Sequence, residues 1–202
     1  MLEELKETVR FIQENDPAAK SELEVLICYS GLHAIYLHKL SHWLYKQDCF
    51  LLARLISNLG RFLTGIEIHP GAQIAKKVFI DHGLGVVIGE TAEIGQEVII
   101  YQGVTLGGTH SQHIKRHPTV QSGVVIGAHA QVLGNIIIGQ NSRIGSGSVV
   151  VKDVEPETTV VGIPARSTNI SKGENLNHQE IPDILFNYID KLEKELKELR
   201  DK

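Results

Sequence analysis

The 202-residue chain carries 20 Lys and Arg against 24 Asp and Glu, a formal net charge of −4, with 42% hydrophobic, 22% charged and 5% aromatic residues. Near-average hydrophobic and charged content excludes a disordered or fibrous chain, and the acidic balance argues against a dedicated nucleic-acid binder, which needs excess Lys and Arg to displace counterions. Cys28 and Cys49 are too few for a disulfide framework and are expected as reduced thiols of a cytoplasmic protein.

The start, Met1-Leu2-Glu3-Glu4-Leu5-Lys6-Glu7, has neither the basic opening nor the apolar core of a secretory signal. The most apolar early stretch, 25–37, is interrupted by Ser30, Gly31 and His33. It is too short to span a bilayer, so no membrane partner is expected. Residues 1–65 read as a helical domain. Leu2, Leu5, Val9 and Ile12 recur at helical spacing. Asp16-Pro17 reads as the cap and first position of a second helix. Further helices are expected over 31–47 and 49–63, ending near Gly65.

From 66 to 167 the period changes to six. Ile68, Ile74 and Ile80 are followed by Ile88, Ile94, Ile100 and Leu106, then by Val120, Ile126, Val132, Ile138, Ile144 and Val150. Small or β-branched residues keep a second six-residue phase: Ala72, Val78, Ala92, Val98, Val104, Val124, Ala130, Ile136, Ser142 and Ser148. Such a period is neither helical nor strand alternation; it marks a parallel β-helix built from hexapeptides. Three hexads make one triangular coil of 18 residues, with coils stacked ~4.8 Å apart. Gly89, Gly95, Gly107, Gly127, Gly139 and Gly145 follow the apolar position directly, and are expected at corners that need positive φ. The phase slips by two residues between Ile80 and Ile88. It slips by eight more between Leu106 and Val120, so 107–118 must leave the coil as a loop. In the last segment, 168–202, a polar linker precedes Leu185, Ile189, Leu192, Leu196 and Leu199, the stripe of an amphipathic helix. Packing on its own subunit and self-association are both open for that helix.

Several stretches resemble the signatures of the serine O-acetyltransferase family, a branch of the hexapeptide-repeat acyltransferases. They are Ile68-His69-Pro70-Gly71-Ala72, Ile80-Asp81-His82-Gly83 and Val87-Ile88-Gly89-Glu90-Thr91-Ala92. With them go Val104-Thr105-Leu106-Gly107-Gly108-Thr109, Arg116-His117-Pro118, Ile126-Gly127-Ala128 and Gly162-Ile163-Pro164-Ala165-Arg166. The resemblance covers about residues 15–166. It implies a left-handed winding of the β-helix, and transfer of acetyl from acetyl-CoA to the hydroxyl of L-serine, the first step of cysteine synthesis. By resemblance His82 is the general base, a role suited to an imidazole whose pKa lies near the operating pH. The position of the carboxylate that holds its other ring nitrogen falls on Glu67, where many relatives have Asp. Asp16 and Asp81 are implied near the substrate ammonium, and Arg116 and His117 near its carboxylate, which a guanidinium can clasp with two parallel bonds. Gly108, Ala128 and Ser146 are implied along the pantetheine arm, with backbone N–H groups near Gly107 and Gly108 as oxyanion donors.

The resemblance implies no metal. It also implies a homotrimer or dimer of trimers, with His82 and the arm-binding edge contributed by adjacent subunits. Family members often bind O-acetylserine sulfhydrylase through a C-terminal Ile; this chain ends Leu199-Arg200-Asp201-Lys202, which counts against that complex. Two rival chemistries share the repeat. Another hexapeptide O-acetyltransferase would take a sugar or xenobiotic, against which Asp16 and Arg116 speak. A zinc hydratase of the γ-carbonic anhydrase type would use His113 and His117, but zinc needs three imidazoles and a water. A subunit that only assembles with partners has no use for Asp81 and His82.

Overall fold

The structure, a computed structural model, describes residues 2–168; the amphipathic stripe read over 185–199 and its linker lie outside the described residues. Four helices come first: α1 (Leu2–Asn15), α2 (Glu22–Cys28), α3 (Ser30–Lys46) and α4 (Phe50–Thr64). Short strands then form three parallel sheets. The first joins Glu67–Ile68, Val87–Ile88, Thr105–Gly107, Gln131–Leu133 and Val149–Val150. The second joins Gln73–Ile74, Glu93–Ile94, Thr119–Val120 and Ile137–Ile138. The third joins Phe79–Ile80, Ile99–Ile100, Val125–Ile126, Arg143–Ile144 and Thr159–Gly162, closed by the antiparallel Ala165–Ser167.

Successive strands visit the three sheets in turn, so each coil is a triangle. Val120 pairs with Ile138 and Ile126 with Ile144, a step of 18 in each case (138 − 120, 144 − 126). Where the repeat slips, the register absorbs it: Ile68 pairs with Ile88 and Ile94 with Val120, which ejects the extra residues at corners. Of the first apolar phase all but the half-buried Ile74 are buried, and the second phase, from Ala72 to Ser148, is buried throughout. These two rows fill the prism. Each fully buried Ile or Leu contributes roughly 1.5–3 kcal/mol, which is why so few aromatic side chains suffice.

Two expectations are corrected here. The second helix starts at Glu22, not at Asp16-Pro17. Asp16 instead accepts the Ala18 N–H at 2.8 Å in a local turn. Ser21 caps α2 by accepting the Glu24 N–H at 3.1 Å, while Glu24 accepts the Lys20 N–H, a variant of the reciprocal capping box. The glycines directly after the strands do not take positive φ. They are required by close approach: a Cβ on Gly89 would stand 2.0 Å from the His117 ring, and one on Gly95 would stand 2.7 Å from the Ser122 nitrogen.

The helices are seated on the prism by specific contacts. α1 lays Val9 and Ile12 with Val25, Leu32 and Phe79 in a second apolar cluster. The start of α3 crosses the strand Phe79–Ile80 so closely that a Cβ on Gly31 would lie 2.0 Å from the Ile80 carbonyl oxygen. α4 is tied down where Ser57 Oγ donates to the Ile68 carbonyl at 2.6 Å. It ends at Gly65 in the left-handed conformation, whose N–H caps the Arg61 carbonyl.

Candidate active site

His82 sits at the corner between the strands Phe79–Ile80 and Val87–Ile88, where the two-residue slip lies. Its φ is +57°, followed by Gly83 at +74° and Gly85 at +77°. Left-handed backbone disfavours most side chains, though His, Asn and Asp enter it more readily. Two glycines share the turn, so only His82 bears the strain. Its side chain consequently stands outward, 74% exposed. Asp81 beside it is largely buried, with Oδ2 3.9 Å from His82 Nε2, close enough for attraction but too long for a hydrogen bond. Burial pushes the Asp81 carboxyl up, and the nearby Asp16 adds to this, while His82 opposes it.

Close packing at Gly31 brings the α1–α2 turn to this corner. Ser30 Oγ donates to the His82 carbonyl at 3.3 Å, and Asp16 accepts the Tyr29 hydroxyl at 2.5 Å. Asp16, Asp81 and His82 therefore share one edge of the prism. Glu67 is half-exposed and accepts from Arg61 Nη1 of α4 at 3.2 Å.

Arg116 and His117 occupy a different edge, the one that carries the long loop. Arg116 Nη2 donates to Glu90 Oε2, and Glu90 also accepts the Tyr45 hydroxyl at 3.3 Å. Burial pushes the Glu90 carboxyl up, but Arg116 and His69 outweigh it and hold Glu90 below the ordinary carboxylate range. Thr91 organises the end of the loop. Its hydroxyl accepts the N–H groups of Arg116 at 3.0 Å and His117 at 3.1 Å. The Thr91 N–H donates to His117 Nδ1 at 3.2 Å. With Nδ1 accepting from Thr91, the geometry fits the tautomer that carries its proton on Nε2, and burial followed by Arg116 lowers the pKa of the ring. Nε2 faces Gly108, where a Cβ would stand 3.2 Å away.

Ala128 and Ser146 are stacked one coil apart, with the Gly147 N–H donating to the Ala128 carbonyl at 2.8 Å. They lie on the edge that bears His82, whereas Gly108 lies on the Arg116 edge. The structure thus divides the expected site residues into two sets on two edges of one chain. Sequence reasoning passed over Tyr29, Glu90 and Thr91. Glu90 and Thr91 stand inside the signature stretch 87–92, but nothing local to them reveals that they hold Arg116 and His117.

The pair His113 and His117 does not form a ligand set: His113 is exposed on the loop and His117 Nδ1 is taken by Thr91. Among the described residues no group of three or more His, Cys, Asp or Glu is placed to hold a metal ion, and no helix is long and apolar enough to cross a membrane.

A family profile described as bacterial transferase hexapeptide (six repeats) matches residues 117–152. The serine acetyltransferase of Bacillus subtilis is 52% identical over 200 residues, covering 97% of this chain and 92% of that one. The crystal structure of the Neisseria gonorrhoeae serine acetyltransferase in complex with serine superposes with a TM-score of 0.79 at 42% identity, covering 82% of this chain and 68% of the other. The soybean serine acetyltransferase complexed with serine gives 0.77 at 44% identity, covering 80% and 66%.

Proposed function

The chain belongs to the serine acetyltransferase family, and from that premise we propose that it transfers acetyl from acetyl-CoA to the hydroxyl of L-serine in a ternary complex, with His82 as general base. The serine oxygen attacks the thioester carbonyl carbon as its proton passes to a ring nitrogen of His82. The C–O bond forms, the C–S bond breaks as the tetrahedral intermediate collapses, and the imidazolium returns the proton to the leaving thiolate. The products are O-acetyl-L-serine and CoA. The outward, exposed ring at the corner supports this role, because a base must reach the hydroxyl it deprotonates.

Glu67 is the proposed partner of the second ring nitrogen. Its present partner, Arg61, is an exposed ion pair worth about 0–1 kcal/mol, so exchanging that guanidinium for an imidazolium costs little. Asp16 and Asp81 take the substrate ammonium. Two carboxylates with a shared field favour a cation between them, since it offsets both the burial and the Asp16 repulsion that raise Asp81. Arg116 and the Nε2–H of His117 take the carboxylate. The pantetheine arm runs along Gly108, Ala128 and Ser146, with the N–H groups near Gly107 and Gly108 directed at the oxyanion.

The observation that carries this reading is the separation of an acidic edge with His82 from an edge whose Arg116 guanidinium and His117 imidazole are hydrogen-bond donors. A zwitterionic amino acid needs both, so the site is complete where the first edge of one copy meets the second edge of another. A homotrimer of left-handed prisms, or a dimer of such trimers, supplies that meeting. In it Ala128 and Ser146 lie on the copy that bears His82 and Gly108 alone on its neighbour, which corrects the expectation that the whole arm-binding edge comes from the adjacent subunit. Leu84, 71% exposed next to His82, supports burial of this edge in an assembly. The test is release of CoA from acetyl-CoA with L-serine, with a galactoside, and with no acceptor. Release with serine alone is expected; equal rates in all three arms refute the assignment.

A further inference from the structure

Asp16 lies in the turn after α1, on an edge it shares with a second carboxylate. An aspartate in that position is repelled by Asp81 and is free to swing into solvent. Its two oxygens are nevertheless both engaged. Oδ1 accepts the Ala18 N–H at 2.8 Å and Oδ2 accepts the Tyr29 hydroxyl at 2.5 Å. Tyr29 is itself fixed at the junction of two helices. It is the C-cap of α2, with its N–H on the Val25 carbonyl, and the N-cap of α3, with its carbonyl accepting from His33. Its ring packs beside Phe79, with centroids 6.3 Å apart.

We propose that Tyr29 is a positioning residue for serine: its hydroxyl holds Asp16 in the orientation that presents the remaining carboxylate lone pairs to the substrate ammonium. This rests on the serine acetyltransferase reading and assigns within it the element that fixes specificity for an amine-bearing alcohol. A carboxylate has about four acceptor sites, so two bonds to the protein leave two for the ammonium. Burial first, and then the bond to Asp16, push the Tyr29 hydroxyl above its ordinary range, which keeps it a donor throughout the working pH. The ring alone meets the packing requirement, whereas the hydroxyl has no role in the apolar cluster. The oxygen is therefore separable from the fold.

Tyr29→Phe tests this directly, with steady-state kinetics on the full chain. Losing one hydrogen bond to a charged group should raise the KM for L-serine by roughly tenfold. The KM for acetyl-CoA and kcat should stay within about twofold, a split that follows from loss of binding that is equal in the ground and transition states. The same comparison with 3-hydroxypropanoate, which keeps the hydroxyl and carboxylate but lacks the amine, should show no penalty from the mutation. A penalty equal for both acceptors assigns Tyr29 to the fold and overturns the proposal, as does an unchanged serine KM. In an Asp16→Asn background, Tyr29→Phe should add nothing; a full additional loss also overturns it. Should the variant unfold, the proposal fails as well, because the hydroxyl would then be structural. A wild-type enzyme that releases no CoA with serine refutes the underlying reading, which the variants leave untouched.

Discussion

Gly31→Ala is the substitution that most directly joins the fold to the site. The added Cβ would stand 2.0 Å from the Ile80 carbonyl oxygen and 2.9 Å from the Ile80 carbonyl carbon and Cβ. A tolerable C···O contact is about 3.3 Å, so the start of α3 must retreat from the strand by roughly 1.3 Å. The obstacle is backbone, which cannot rotate away as a flexible side chain would. Overpacking of this kind costs about 1–3 kcal/mol, a large share of the ~5–15 kcal/mol that stabilises a typical domain. The retreat carries Tyr29 and Ser30 with it, and hence Asp16. Displacement by about 1 Å at a reacting site can cost ~100-fold in rate. Urea unfolding followed by circular dichroism, together with kcat/KM for serine, reads both effects. Gly60→Ala is the matched control: it is also a helical glycine, but its Cβ would meet Leu37 at 3.6 Å, an ordinary contact. It should be neutral or gain up to about 1 kcal/mol from helix propensity. A Gly31→Ala protein with wild-type urea midpoint and wild-type kcat/KM would refute the claim that close packing at Ile80 places Asp16.

His82→Ala should lower kcat by roughly 10²–10⁴-fold, the usual worth of a general base, with the KM for serine changed less; near-wild-type turnover would remove His82 from that role. Glu67→Gln should reduce turnover while acetyl-CoA binding, measured by calorimetry, stays intact; loss of the fold instead would make Glu67 structural. His38 gives a pH prediction. It is buried, and burial first, then His42, lowers its pKa from 6.5 to about 3. The folded state thus binds fewer protons than the unfolded chain between those values, so stability falls as pH drops through that window and is fully present above 6.5. From pH 7 to 5 the loss from this group is about 2 kcal/mol at 1.4 kcal/mol per unit. His38→Gln should show a flatter urea midpoint over that range; an unchanged pH slope would show that His38 is not the group responsible.

The missed start of α2 was legible. Ser21 and Glu24 stand in the spacing of a helix-opening pair, but Asp16-Pro17 is the stronger-looking signal. The deciding factor was the Asp16 side chain, which turned to the Ala18 N–H and the Tyr29 hydroxyl instead of opening a helix. Glu90 and Thr91 belong to the signature stretch 87–92, yet their partners Arg116 and His117 are about 26 positions away, across the loop. No local pattern specifies such a pairing.

The primary structure by itself determined the prism, its two interior rows and the two places where the repeat slips. This is so because a parallel coil stacks residues of equal phase, and one local step is repeated until it becomes the architecture. Tertiary structure alone decided that Asp16 reaches the corner of His82, that Tyr29 holds it, that Arg61 engages Glu67, and that Arg116 and His117 fall on another edge. These depend on how closely a helix can approach a strand at one glycine and on where an inserted loop returns. Both are contacts between distant parts of the chain, and a six-residue period carries no information about them.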